Sequence, residues 1–238
     1  MKTKSESVFM IIPGCIALSA CSSPVLPGTT VVDTRTVRTD SGADVTVLTQ
    51  HAINGDVIED TDNTLNVVSR MDNAEAAGLK TLQFAAMLLG GGSGSISGYS
   101  KEQLKGTHIS TVKNRTMEYL NPVLDATLNK INIPPGRKDK ITVQPYKFKL
   151  IYNGLDNDNY DFIYSVTIRA GNFYHICSDN SLTAAESTRP YEVWEKNNYA
   201  LTQAMAEKII TLCFEDINSG KNKEALTRAL VSSGEGQQ

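Results

Sequence analysis

Histidine is scarce in this sequence: three in 238 residues, at positions 51, 108 and 175. None stands at metal-ligand spacing with another histidine, a cysteine or a carboxylate, so no zinc-type cluster is expected. The GxSxG, HExxH and SxxK signatures are missing as well. That argues against an enzyme of a motif-bearing class, although a site assembled from distant residues would leave no such trace. Basic runs are also lacking. With 23 Lys+Arg against 26 Asp+Glu and a slightly acidic pI of about 5.7, the chain has no footprint for nucleic acid. None of the four cysteines belongs to a CxxC pair, which excludes the common redox motif. Finally, the apolar run Val8 to Leu18 is about half of the roughly 20 residues that cross a bilayer as a helix, and Pro13-Gly14 interrupts it.

That run nevertheless has a recognisable setting. Lys2 and Lys4 precede it, and small residues follow it. A basic start, a short apolar middle and a small-residue processing site make a secretory signal peptide. The tetrapeptide Leu18-Ser19-Ala20-Cys21 resembles the lipobox of bacterial lipoproteins. The resemblance implies cleavage before Cys21, a diacylglycerol on its thiol and an acyl group on its new amine. The other reading is an ordinary cleaved signal with a chance cysteine. More than one chain makes anchoring stable, since each buried methylene is worth about 0.8 kcal/mol. Ser22, where an aspartate would favour the inner membrane, points by the same resemblance to the outer membrane.

Loss of residues 1–20 removes Lys2, Lys4 and Glu6 and moves the net charge from −3 to −4. The remainder is long enough for one sizeable core. Cys177 and Cys213 are then the two thiols left in an oxidising compartment. Two readings are open: one disulfide, or two small apolar side chains packed free in a core.

Residues 21–42 are rich in Pro, Thr, Gly and Ser and read as a tether, with Val31-Val32 and Val37 able to add an edge strand. One α+β domain is expected over 43–238. Val45 to Gln50 alternates as a strand, and Asn54-Gly55 supplies a hairpin turn before Val57-Ile58-Glu59. Asp72 to Glu75 has capping-box spacing, with Leu79, Leu82, Ala86 and Leu89 at helical spacing behind it, and Gly90-Gly91-Gly92 ends that helix. The glycine-rich loop matches no phosphate-binding pattern and follows a helix rather than a strand.

Met117, Leu120, Leu124, Leu128 and Ile131 form the stripe of a second helix between Asn114 and Lys130. Pro122 suggests that it starts near Asn121, where a missing N–H does no harm. Two amphipathic antiparallel strands follow, Tyr146 to Tyr152 and Tyr160 to Arg169, then a short third from Phe173 to Cys177. Asp156, Asp158 and Asp161 between them lack the glycine and glutamate of a calcium loop. The last long helix spans Val193 to Asn218, with Leu201, Met205, Ile209, Cys213 and Ile217 on its inner face, so Cys213 can meet Cys177. A short extra helix is expected over Lys221 to Val231.

The fold expected is therefore α+β, an antiparallel sheet of three or more strands against two or three helices. In element order it is similar to small periplasmic modules of outer-membrane lipoproteins such as the LpoB- or CsgG-like group. In kind it is similar to prophage-type enterobacterial lipoproteins of the YfjS/YafY sort; no site residue carries over from either. No catalytic residue, metal or cofactor is assigned beyond the lipid on Cys21. Arg169 and Trp194 are the first residues to test for partner binding, because Arg and Trp recur at binding hot spots. The expectation is a non-enzymatic envelope lipoprotein that binds a protein partner or serves envelope assembly or stress signalling. The alternatives are an envelope hydrolase with a site lacking a motif, or membrane perturbation through residues 79–98.

Overall fold

The structure is a computed structural model that describes residues 31–54, 57–59, 61–70, 101, 104–154 and 157–232. The signal segment, Cys21, the helix expected behind Asp72 and residues 79–98 lie outside the described residues. Among the described residues the architecture is α+β: an eight-stranded mixed sheet, a separate two-stranded hairpin and four helices.

The spine of the sheet is one long hairpin, β7 (Lys138–Tyr152) against β8 (Asn159–Ala170), paired from Thr142↔Arg169 to Tyr152↔Tyr160. β7 begins eight residues before the strand expected from Tyr146. The missed half carries Lys138, Asp139 and Lys140 at its start, and its alternation breaks at Pro145, where a bulge shifts the register.

Each outer edge of this hairpin is shared by two strands. Along β7, β2 (Asp44–Gln50) pairs parallel with the first half, and β5 (Thr64–Val68) pairs parallel with the end. Along β8, β9 (Phe173–Ser178) pairs with the second half, and β10 (Thr188–Pro190) with the first three residues. β1 (Val31–Arg38) then adds to β2, and β6 (Thr107–Lys113) to β5, both antiparallel. Residues 31–38 of the segment read as a tether are thus the edge strand that Val31, Val32 and Val37 allowed. The isolated hairpin joins β3 (Ala52–Asn54) to β4 (Val57–Glu59); Asn54 itself pairs with Val57, so its connection falls at residues 55–56.

Both edges have a gap at the same level, and an aspartate fills each. Phe148 and Tyr164 face each other across the hairpin. The Phe148 N–H donates to Asp62 Oδ2 at 2.9 Å, and the Tyr164 N–H donates to Asp179 Oδ1 at 2.8 Å. A buried backbone donor without an acceptor is costly, so a carboxylate takes the place of the missing strand on either side.

The helices cover one face. α1 (Thr116–Asn129) buries Leu120, Leu124 and Leu128. It starts six residues before Pro122 because Asn114 Oδ1 accepts the Thr116 N–H at 3.0 Å, and Pro122 sits inside on the exposed side. α2 is the short Ala184–Ser187, with Thr183 and Glu186 making a reciprocal cap. α3 (Tyr191–Ile217) starts two residues earlier than expected and is broken at Lys196–Tyr199. α4 (Gly220–Ser232) closes the far end, burying Leu226 and Leu230.

The core lies between these helices and Phe148, Leu150, Phe162, Tyr164, Val166 and Ile168 of the spine. Cys177 of β9 and Cys213 of α3 are joined by a disulfide, with Cα atoms 5.3 Å apart. A smaller cluster of Val68, Ile151 and Tyr152 packs with Leu104, Tyr160 and Ile163.

Candidate functional site

The gap between β2 and β5 opens, on its helical side, into a cavity of about 270 Å³. Its walls come from five places in the chain. β1 brings Val32 and Asp33, and the end of β2 brings Thr49 and His51. The loop that patches β7 brings Thr61 and Asn63, while Asn114, Thr116 and Met117 form the start of α1; Pro145 of β7 completes it. The register of β1 on β2 is irregular at Val31/Asp33, beside this opening. Bulges commonly re-aim side chains.

Most polar groups of the wall also hold the fold. Thr61 Oγ1 donates to the Pro145 carbonyl at 2.6 Å. Asn114 Nδ2 donates to the Asp62 carbonyl at 2.8 Å, and the Thr116 hydroxyl bridges Asn114 Oδ1 and the Tyr164 hydroxyl, each at 2.6 Å. Burial raises the Tyr164 phenol well above its ordinary range, so it remains a neutral hydrogen-bonding group. Gln144 Nε2 donates to the His51 carbonyl at 3.2 Å and ties that end of the wall to β7. Asp33 and Asn63 are the exposed polar residues at the rim. The arrangement can take up one small polar group against a wall fixed by the sheet.

Asp62, just behind this wall, is the most heavily engaged carboxylate of the region. Besides Phe148 N–H, it accepts Asn66 Nδ2 at 2.6 Å and lies 3.8 Å from Lys149 Nζ. Lys149 also donates to the Leu104 carbonyl at 3.0 Å. Burial raises the Asp62 carboxyl above its ordinary value, outweighing Lys149 and the hydrogen bonds that pull it down.

Of the residues singled out in the sequence, His51 lines the cavity and the others fall elsewhere. Trp194 is fully buried: its ring packs on Phe162, and its Nε1–H donates to the Tyr160 carbonyl at 3.0 Å. It is a core anchor and not an exposed binding residue, because its ring lies on the buried face of α3 against the hairpin. Arg169 is half-buried on the face of the sheet that no helix covers among the described residues, with its guanidinium 4.7 Å from the Tyr174 ring centre. His175 Nε2 lies 3.5 Å from Asp216 Oδ2, and the ring stacks on Phe173. His108 sits 3.5 Å from the Thr64 hydroxyl on an exposed edge. Asp161 Oδ1 accepts Asn153 Nδ2 at 2.9 Å and the Thr188 hydroxyl at 2.5 Å, so it holds β10 to the hairpin end.

Asp62 was not singled out in the sequence and Asn114 was read only as the start of a helix; nothing in their spacing marks a gap in a sheet. No family model, curated protein or solved structure matches the chain.

Proposed function

We propose that the chain is a lipid-anchored lipoprotein of a bacterial envelope whose α+β domain works by binding a protein partner, in envelope assembly or stress signalling. The observation that carries this reading is the Leu18-Ser19-Ala20-Cys21 box directly behind a basic start and a short apolar run. Lipid on Cys21 would hold the domain at the membrane, the outer one facing the periplasm by the Ser22 criterion. The Cys177–Cys213 bond supports an oxidising compartment, since disulfides persist outside the cytosol and are rare within it. Only residues 22–30 separate the anchor from the first residue of β1. At roughly 3.3–3.6 Å per residue, the ten steps from Cys21 to Val31 span at most about 36 Å, so the domain works close to the bilayer. The cavity beside β1 and the open edges of the sheet offer the surfaces for a partner.

The test is metabolic labelling with palmitate in bacterial cells, comparing the wild type with Cys21→Ala. Label on the wild type that is lost in the variant, together with loss of sedimentation with membranes, is the expected result. Incorporation that survives the change, or no incorporation in the wild type, overturns the anchor.

A further inference from the structure

An open sheet edge is a row of unpaired backbone groups that another strand can complete, and proteins usually guard such edges with charge, proline, bulges or brevity. Three of the outer strands here are guarded. β1 has an irregular start and carries Asp33, Arg35 and Arg38. β6 ends in Lys113 and is tied to α3, by Thr111 Oγ1 donating to Asn198 Oδ1 and by Gln203 Nε2 donating to the Lys113 carbonyl. β10 is three residues long and ends in Pro190.

β9 is the exception. Its sequence, Phe-Tyr-His-Ile-Cys-Ser, holds no proline, lysine or acidic residue, and its register with β8 is regular throughout. Its other edge meets no strand among the described residues. It also carries two large exposed apolar side chains on the face opposite the described helices, Tyr174 at 53% and Ile176 at 47% exposure.

We infer that β9 is a self-pairing edge, completed antiparallel by β9 of a second copy about a two-fold axis through His175. Opposed residues in such a pair share a face, so the partner must repeat the inward-outward alternation. The pairing about His175 meets that condition and sets Tyr174 of each copy opposite Ile176 of the other. Aromatic against β-branched is among the favourable cross-strand pairs. Phe173 lies opposite Cys177 on the helical face, where both are already buried. Tyr174 is held in place for this contact by Arg169 beneath its ring. The two helical layers fall on the same side of one continuous sheet.

Six residues bury far less than the ~1,600 Å² of a standard interface, so in dilute solution the pair is weak. Anchoring both copies in one membrane raises their effective concentration and makes the contact significant. In that respect the inference rests on the lipoprotein reading and names the partner of the anchored domain as a second copy.

The test uses two differently tagged whole chains co-expressed in the same cells, one with Tyr174→Cys and the other with Ile176→Cys, followed by mild oxidation. Mixed disulfide dimers at several times the yield of either like-with-like dimer are expected, because only 174 and 176 lie opposite each other. Adding Ile176→Lys to an otherwise wild-type chain is expected to remove chemically crosslinked dimers while leaving the melting temperature unchanged. Equal yields in all combinations, no mixed dimer, or undiminished dimers with Ile176→Lys overturn the inference. Repeating the pair on Cys21→Ala chains separates it from the anchor. A large drop in yield supports membrane-enforced pairing. An undiminished yield overturns membrane enforcement but leaves the strand pairing supported.

Discussion

At the residue scale, the least expected feature is the left-handed stretch in α3. Asn197, Asn198 and Tyr199 all have φ between 53° and 58°, a conformation costing non-glycine residues roughly 1–2 kcal/mol each. Burial of Tyr199 in the core and hydrogen bonds within α3 offset that cost. The Tyr199 and Tyr191 hydroxyls lie 2.6 Å apart, and the Thr202 hydroxyl donates to the Tyr199 carbonyl at 2.8 Å. Asn197 is exposed, so its side chain tests the backbone alone. Asn197→Ala is expected to cost about 1 kcal/mol in urea unfolding, and Asn197→Gly to be neutral or stabilising. A second residue-level prediction concerns acid. Hydrogen bonding by Lys208, then by the Thr183 backbone and hydroxyl, lowers the Glu186 carboxyl from 4.5 to about 2. A carboxyl with a depressed folded value stabilises the fold above its unfolded value and loses that contribution as pH falls. The wild type should therefore shed this contribution between about pH 4.5 and 2, whereas Glu186→Gln should lack that part of the acid limb. Asp62 works in the opposite sense: its raised value makes the ionised form a cost that grows above pH 3.8. Melting temperatures across pH 2–7 distinguish the two.

At the level of elements, the regular part of the fold was legible and its seams were not. Alternation from Tyr160 to Arg169 and the stripe Leu120, Leu124, Leu128 report burial on one face, and both elements formed with those residues inside. Pro122 misled because proline is normally placed in a helix's first turn, whereas the helix here is started by Asn114 and buried by its leucines. The joins between strands depend on long-range pairing, which no local pattern encodes. Asp62 and Asp179 carry no local pattern that marks them, yet both serve as stand-ins for strands. Asp62→Ala leaves the Phe148 N–H without its acceptor and Lys149 without its nearby carboxylate, and should cost about 1–3 kcal/mol by denaturant unfolding. The link between β9 and α3 is covalent. Opening a loop with a 36-residue separation by Cys177→Ala with Cys213→Ala should lower stability by about 4 kcal/mol in the chain-entropy account. Calorimetry of the double variant against the oxidised wild type gives the value.

For the whole molecule, the parts point in one direction. On the proposed reading, a leader resembling a lipobox signal, a link of nine residues and an α+β domain stapled by a disulfide would make a body held near a membrane in an oxidising space. The class of fold was readable from the order of amphipathic segments, while the cavity beside β1 was not, since its walls come from residues 32 to 145 and meet only after folding. Arg and Trp were poor guides for the same reason: Trp194 is spent on the core, against Phe162 and the Tyr160 carbonyl, which only the folded sheet brings to it. The most direct measurement is intact mass analysis of the N-terminal peptide of the protein purified from bacterial membranes. A chain that begins at Cys21 and carries a diacylglycerol with an amide-linked acyl group is the predicted result. A chain that still begins at Met1, or one with an unmodified thiol at position 21, would contradict it.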